Sequence, residues 1–267
     1  MTAAGRAAGR EGGRRAAAEG LEAQNAGLTS GPMPLHQVCI SATPPHALWR
    51  LSLAGEVSDR DRASLDDAEQ ARAARFVFEH DRRRFIAAHV GLRRLLGEHL
   101  GVDPAALCFE PGEFGKPRLR DEPRCAFSLT HSGDEALVAL SDGPDIGVDL
   151  EGVRDFRDVD GLARQCLTPA ELVAFDATPE AERVLAFLRA WTRKEACLKA
   201  LGTGLQIAPA TVETGLDAAE RRVEIETPEG RCGLRVRTLV PMPGWIAAVA
   251  ELDARPNGGM GAVIPAL

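Results

Sequence analysis

Residues 184–204, VLAFLRAWTRKEACLKALGTG, decide how the second half of this chain folds. Apolar side chains follow one another in steps of three, four or seven residues, at Val184, Leu188, Trp191 and Leu198. That spacing predicts one apolar stripe of a helix, which Gly202 and Gly204 end. The same spacing would place another apolar residue at position 195, where the chain has Glu195.

Two interpretations of Glu195 remain open from the helix alone. An unpaired charge on a buried stripe costs several kcal/mol, so the carboxylate needs a partner. Lys199 lies one helical turn later and could form an ion pair that only flanks the core. The other possibility is that Glu195 meets further acids across the layer between this helix and a sheet.

Such acids occur in IGVDLE, residues 146–151, which reads as a strand. Asp149 and Glu151 have the same parity, so they project from one strand face, with their Cα atoms on the order of 7 Å apart. An acidic outer face of an edge strand is one interpretation. A cation site is the other, because like charges held this close repel unless a cation or proton lies between them.

Together, Asp149, Glu151 and Glu195 form a candidate metal site. Three carboxylates without cysteine suit Mg²⁺ or Mn²⁺ rather than zinc. Magnesium usually keeps water and takes phosphate oxygens from a substrate, so the trio indicates a phosphate-bearing substrate. Cationic groups that could hold one are Lys199, Lys116 in FGKPRL (114–119), His131 in FSLTHSG (127–133), and the arginines Arg72, Arg75, Arg82, Arg83 and Arg84. Each lysine or arginine alone is typical of a solvated surface, and a lone histidine is typically structural; their combination favours a binding site.

The composition restricts the class of protein. A net charge of −7 argues against general nucleic-acid binding, which needs a basic face. No apolar run reaches the length of a membrane span, so we expect no membrane partner. The six cysteines form no CxxC pair, which favours reduced thiols in the cytoplasm.

The order of the segments predicts an α+β fold built from two pseudo-symmetric subdomains, each a small antiparallel sheet packed with helices. A strand (37–42), one long helical region (63–101) and short strands precede IGVDLE. Helices then open at Thr168-Pro169, with Glu171 closing a capping box, and in the same style at Thr178-Pro179, and strands follow. We expect subdomains at 36–142 and 143–253. The Ala-, Gly- and Arg-rich residues 1–35 predict a disordered extension, with a transit peptide as the alternative, and 254–267 a flexible tail.

FGKPRL, FSLTHSG, IGVDLE and WTRKEACLKALGTGL, in this order, resemble the 4′-phosphopantetheinyl transferases, and most of all the Sfp type, in which two pseudo-symmetric halves lie in one chain. The resemblance covers about residues 36–252. It implies transfer of phosphopantetheine from coenzyme A to a serine of an apo acyl or peptidyl carrier protein, with release of 3′,5′-ADP. It also implies a monomer, because both active-site halves are in one chain.

The resemblance assigns roles residue by residue. Asp149, Glu151 and Glu195 match the Mg²⁺-binding acids, Glu195 also matches the acceptor of the serine proton, and Lys199 matches the lysine near the pyrophosphate. The coenzyme A contacts implied are Lys116 and Pro117 on the adenine side, and Thr130, His131, Arg72 and Arg84 near the 3′-phosphate. A further basic residue of the family is replaced by Glu69. The alternatives are another Mg²⁺-dependent nucleotide or pyrophosphate enzyme, and a non-catalytic module that binds coenzyme A or a carrier protein.

Overall fold

The computed structural model describes residues 37–43 and 46–253. The predicted extension at 1–35 and the predicted tail at 254–267 lie outside these residues. Within the described residues, every helix is too short or too polar to cross a bilayer.

The first half is built on a four-stranded antiparallel sheet with the strand order β1-β2-β6-β5, beside a small ladder of β3 and β4. The strands are β1 (Gln37–Thr43), β2 (His46–Ser52), β3 (Phe109–Pro111), β4 (Pro117–Leu119), β5 (Ala126–Ser132) and β6 (Glu135–Ser141). The sequence analysis did not predict β2, which pairs with both β1 and β6 and joins them into one sheet.

A short helix, α1 (Asp59–Arg62), precedes the long helical region predicted at 63–101, which contains two helices: α2 (Asp67–Ala74) and α3 (Glu79–Leu100). The predicted helical region is interrupted because Phe78 has extended backbone angles, φ −96° and ψ 131°, which end the helical path between α2 and α3. Phe76, in the same interruption, packs on the ring of Phe85 in α3. The predicted stop at Gly101 is confirmed, with φ at 69° in the left-handed region.

The second half has a four-stranded antiparallel sheet in the order β7-β10-β9-β8 and three helices. Its elements are β7 (Ile146–Gly152), α4 (Val159–Cys166), α5 (Pro169–Asp176), α6 (Glu180–Leu201), β8 (Arg221–Thr227), β9 (Gly230–Leu239) and β10 (Trp245–Leu252). The predicted α+β class, with two sheet-containing halves in one chain, is confirmed.

Helix caps explain most boundaries of the second half. Thr168 and Glu171 form the predicted capping box at the start of α5. The similar start predicted at Thr178 is wrong, because its hydroxyl donates to the Ala174 carbonyl of α5 and α6 begins without a side-chain cap. Gly202 ends α6 with φ at 75°, as predicted.

The two halves repeat one structural device. Arg93 in α3 and Lys194 in α6 each lie fourteen residues after the first residue of a 22-residue helix, and both are fully buried. Each cation pairs with the third residue of a preceding short helix: Arg93 with Glu69 at 2.7 Å, and Lys194 with Glu171 at 2.5 Å. This shared pairing supports the pseudo-symmetry, which the sequence had indicated only through the order of its elements.

The halves also share part of their core. Side chains of the first sheet pack with side chains of the second in one buried cluster, formed by Leu48, Leu137 and Ala139 with Ile146, Val148, Leu150, Ala247 and Val249. Because β7 buries one face in this cluster, its other face is left for α6.

Candidate active site

Gly147 brings α6 unusually close to β7. A Cβ built at this position would lie 2.0 Å from the carbonyl oxygen of Ala196 and 2.4 Å from the amide nitrogen of Ala200. Only glycine permits that approach. Because Gly147, Asp149 and Glu151 have the same parity along the strand, the face that carries the two acids is the face covered by α6.

Asp149 lies at the centre of the site and is 5% exposed. Its Oδ1 accepts hydrogen bonds from Lys199 Nζ at 2.6 Å and from Thr130 Oγ1 at 3.0 Å. Its Oδ2 is buried and has no hydrogen-bond partner among the described residues. A buried carboxylate oxygen without a partner is costly, and a cation would relieve that cost.

The three predicted acids are close enough to influence one another. Burial raises the pKa of Asp149 above its usual value, although the neighbouring Lys199 opposes this. Burial, and then the charge of Asp149, raises the pKa of Glu151. Burial and the charge of Asp149 also raise the pKa of Glu195. The charge of Asp149 therefore reaches both glutamates, although the three carboxylates do not form one closed group of ligand atoms among the described residues.

Strand β5 supports two of these acids from the first half. Thr130 donates to Asp149, and Ser132 Oγ donates to Glu151 Oε2 at 3.2 Å. Ser128 Oγ accepts from the backbone N–H of Val148 at 3.1 Å, so side chains bridge the edges of the two sheets. The acids therefore lie where the two halves meet. The sequence did not predict that Ser128 and Ser132 would take part in this contact.

Glu195 does not lie on a single buried apolar stripe, as the spacing had predicted. Glu195 is half-buried, and the fully buried charges of α6 are Arg193 and Lys194. The helix is buried on several sides because it packs on a sheet and on neighbouring helices, so one apolar stripe does not describe it. Lys199 forms its ion pair with Asp149, not with Glu195, so the interpretation of a simple Glu195–Lys199 pair is wrong.

A cavity of about 400 Å³ adjoins the acids. Several predicted binding residues line it: Arg72, Lys116, Pro117, His131 and Lys199. Phenylalanines from both sides form its apolar walls, namely Phe76, Phe85, Phe114 and Phe127. Lys199 both lines this cavity and donates to Asp149, so the cavity and the acid cluster form one continuous site.

Lys116 connects the cavity wall to the second half. Its Nζ donates to Asp145 Oδ1 at 3.3 Å and to the carbonyl oxygens of Ile146 and Ala200 at 3.1 and 3.2 Å. Burial lowers its pKa, although Asp145 opposes the shift. Its aliphatic stem lies against Gly202, where a Cβ would come within 3.3 Å of Lys116 Cδ. The residue therefore orders the cavity wall as well as lining it.

Arg84 is not among the residues that line the cavity. Its Nε donates to Asp134 Oδ1 at 2.9 Å, and this hydrogen bond raises the pKa of Arg84. It still lies near His131, whose pKa is lowered first by burial and then by the charge of Arg84. The sequence did not predict a role for Asp134, which follows Gly133 in the turn between β5 and β6. Aspartate is common in turns, so its position alone does not indicate a function.

Comparisons with known proteins agree with this architecture. A family model described as 4′-phosphopantetheinyl transferase superfamily matches residues 145–245, and one described as 4′-phosphopantetheinyl transferase, N-terminal, matches residues 59–142.

Similar individual proteins cover much of the chain. The 4′-phosphopantetheinyl transferase HetI of a Nostoc species is 40% identical over 163 residues, which is 59% of this chain and 69% of HetI. The 4′-phosphopantetheinyl transferase ffp of Bacillus subtilis is 27% identical over 77% of this chain and 89% of its own length. The 4′-phosphopantetheinyl transferase Sfp of Bacillus subtilis is 25% identical over 74% of this chain and 86% of Sfp.

Proposed function

Since this chain belongs to the 4′-phosphopantetheinyl transferase superfamily, we propose that it transfers 4′-phosphopantetheine from coenzyme A to a serine of an apo carrier protein, with Mg²⁺ and with release of 3′,5′-ADP. It is an enzyme of the transferase class by the same comparisons. The identities of the substrate, the metal and the products are what we propose.

The position of Lys199 is the observation that carries this proposal. Its Nζ lies 2.6 Å from Asp149 in the acid cluster, and the same side chain lines the cavity. A pyrophosphate at this boundary would place the 3′,5′-ADP part of coenzyme A in the cavity. The phosphorus that reacts would then lie beside the carboxylates. One cation shared between a binding cavity and the acid cluster fits a substrate whose breaking bond lies between a part held in the cavity and a part that leaves it.

The lining of the cavity suits the adenosine end of coenzyme A. Its phenylalanine walls would bury the flat base, and Lys116 and Pro117 would hold the adenine side. Arg72 and His131 would donate to the 3′-phosphate, with Arg84 near His131. Thr130, expected beside this phosphate, instead donates to Asp149 and does not line the cavity, because neighbouring residues of β5 face opposite sides.

The acids fit the metal that the family implies. Asp149, Glu151 and Glu195 would hold Mg²⁺, or Mn²⁺ in its place, and the free Oδ2 of Asp149 is the buried atom that most needs a cation. When bound, the ion would supply positive charge near the bridging oxygen of the pyrophosphate. That charge would be needed as the bond from this oxygen to the transferred phosphorus breaks.

The chemistry would use groups already in place. The carrier serine oxygen would form a bond to the β-phosphorus, and the bond from this phosphorus to the bridging oxygen would break. Glu195 would accept the serine proton. Lys199 would donate to an oxygen of the departing 3′,5′-diphosphate, where negative charge grows.

Mass spectrometry of an apo carrier protein incubated with the enzyme, coenzyme A and Mg²⁺ tests the proposal. We expect the carrier to gain the mass of one phosphopantetheine group. A carrier whose acceptor serine is replaced by alanine should gain no mass. The wild-type carrier should also gain no mass when the enzyme is the Asp149→Asn variant. An unmodified wild-type carrier across acyl and peptidyl carrier types would contradict the proposal.

We also propose that the enzyme acts as a monomer in the cytoplasm. Residues from both halves of one chain meet at the acids, and all six cysteines are free thiols. Sedimentation of the active enzyme would test the first statement, and fractionation of the source cell the second.

A further inference from the structure

Glu69 occupies a place where the family resemblance implied a basic residue near the 3′-phosphate. The structure accounts for the acid. Glu69 is 8% exposed and closes the capping box of α2 by accepting from the Asp66 backbone N–H at 3.0 Å. It also accepts from Arg93 Nε at 2.7 Å. Its other oxygen, Oε1, lies 2.8 Å from Nδ1 of His89.

That last contact orients His89 at the cavity. With Nδ1 donating to Glu69, the second ring nitrogen, Nε2, is left for another partner, and it has no hydrogen bond to any described residue. The ring packs on Phe85, with 4.0 Å between centroids, and His89 lines the cavity.

Other cationic groups converge on the same end of the cavity. The Arg72 guanidinium lies 5.3 Å from the centre of the Phe85 ring, which His89 also contacts. His131 lies on the opposing strand, close enough that the charge of His89 contributes to the lowered pKa of His131. The charged groups that face His89 are therefore Glu69, Arg72 and His131, with Arg93 behind Glu69.

We propose that His89, oriented by Glu69, is a further phosphate-binding residue that contacts the 3′-phosphate of coenzyme A. This inference rests on the proposed function and adds a residue that the sequence motifs do not contain. The positive charge absent from α2 at position 69 is supplied instead from α3, through a histidine that the acid holds in place.

The chemistry follows from the two ring nitrogens. A protonated imidazole donates from both, so it can bridge Glu69 and a phosphate oxygen. Arg93 pairs with Glu69 and also with Asp66 at 2.8 Å, so it offsets part of the negative charge behind His89. A neutral ring with Nδ1–H would present only a lone pair from Nε2 and could not donate to the phosphate.

Isothermal titration with 3′,5′-ADP and with 5′-ADP, which lacks the 3′-phosphate, tests this role without the transfer reaction. In His89→Ala we expect the Kd for 3′,5′-ADP to rise about tenfold, in the range for a lost charge-assisted hydrogen bond. The Kd for 5′-ADP should change less than about twofold. His89→Arg should restore the preference for 3′,5′-ADP, since a guanidinium can donate to both Glu69 and the phosphate.

His80→Ala is the matched control, because His80 is an exposed histidine of the same helix that does not line the cavity. It should bind both nucleotides like the wild type. Equal losses for the two nucleotides in His89→Ala, or no loss for either, would overturn the role of His89. If His89→Ala does not fold, His89→Gln decides, and a preference kept by that neutral side chain would contradict the proposal. Wild-type protein that binds neither coenzyme A nor 3′,5′-ADP would instead overturn the proposed function itself.

Discussion

The Cα of Gly147 and the carbonyl oxygen of Ala196 are so close that a single methyl group would not fit between their chains, since a Cβ at 147 would lie 2.0 Å from that oxygen. This approach lets α6 lie directly on β7. Asp149, two residues along the strand, then comes within 2.6 Å of Lys199 on the helix.

Gly147→Ala should therefore destabilise the protein and disturb the site together. The added methyl group must push α6 away, at a cost of about 2 kcal/mol or more in the free energy of unfolding. The same displacement should lower kcat, because Lys199 and Glu195 move with the helix. Urea unfolding and a carrier-modification assay measure the two effects.

Gly97→Ala provides a graded comparison. A Cβ there would lie 2.9 Å from the Val102 carbonyl oxygen, a milder conflict on the equivalent helix of the first half. We expect a smaller loss of stability and nearly normal kcat. If both variants lose kcat equally, contact between α6 and β7 has no special importance for the site.

Removal of the metal should inactivate the enzyme and lower its melting temperature relative to the Mg²⁺ form. The acids repel one another without a cation, so added Mg²⁺ should raise the Tm of the wild type. EDTA should abolish turnover, and Mg²⁺ or Mn²⁺ should restore it. Asp149→Asn should lose both the activity and the Mg²⁺-dependent rise in Tm.

Asp121→Asn serves as the control for charge alone, because Asp121 is an exposed aspartate outside the acid cluster. It should keep the Mg²⁺ response. Full turnover of the wild type in metal-free buffer would show that the three acids have another purpose.

Glu195→Gln should separate proton transfer from folding. The amide keeps the volume and one ligand oxygen but cannot accept the serine proton, so kcat should fall by about 10²–10⁴. Stability without metal should be unchanged or higher, because burial and Asp149 disfavour the charge of Glu195. Thermal unfolding in EDTA, beside the carrier assay, measures both.

Glu195→Leu should also be inactive. Because Glu195 is half-buried rather than buried, we expect the free energy of unfolding without metal to rise by only about 0.5 kcal/mol. A strongly destabilised Glu195→Leu protein would show that the native carboxylate is a satisfied structural partner.

Glu171→Gln should make the protein less stable at neutral pH. Burial opposes ionisation of Glu171, but hydrogen bonds from Lys194 and from the backbone N–H groups of Thr168 and Thr214 outweigh it and lower its pKa. The variant leaves the buried Lys194 without its ion pair, which costs about 3–5 kcal/mol of unfolding free energy.

The effect of pH has a definite sign. A lowered pKa in the folded state means that the stabilisation is present above the unfolded pKa and is lost as the pH falls through the folded pKa. The stability difference between wild type and Glu171→Gln should therefore shrink between about pH 5 and pH 3. Glu182→Gln, an exposed change on α6, the helix that carries Lys194, should show little difference at any pH. A difference that grows on acidification would contradict the ion-pair assignment.

Asp134→Asn should alter the affinity for coenzyme A rather than the chemical step. Asp134 holds Arg84 at 2.9 Å, and its carboxylate would compete with a bound phosphate for that cation. Removing the charge should lower KM for coenzyme A by about twofold to fivefold at low salt, and less at high salt, where exposed charges are screened. An unchanged KM at both salt concentrations would remove Arg84 from the binding site.

Local sequence patterns were sufficient for part of this protein. The capping box at Thr168, the left-handed stops at Gly101 and Gly202, and the shared parity of Asp149 and Glu151 each depend on residues a few positions apart, and so does the alternation of strands. The order of the segments indicated the α+β class and the two halves. Motifs resembling a known family indicated the transferase, which the comparisons support.

Tertiary packing decided the rest. No sequence spacing predicts that Lys199 pairs with Asp149 rather than Glu195, because those partners lie 50 residues apart and meet only when α6 lies on Gly147. The same holds for Glu69 with His89, and for Arg93 and Lys194, whose charges are buried because each meets an acid from a separate helix. A charge can be buried only where a partner is supplied, and that partner is determined by the packing of distant segments rather than by periodicity.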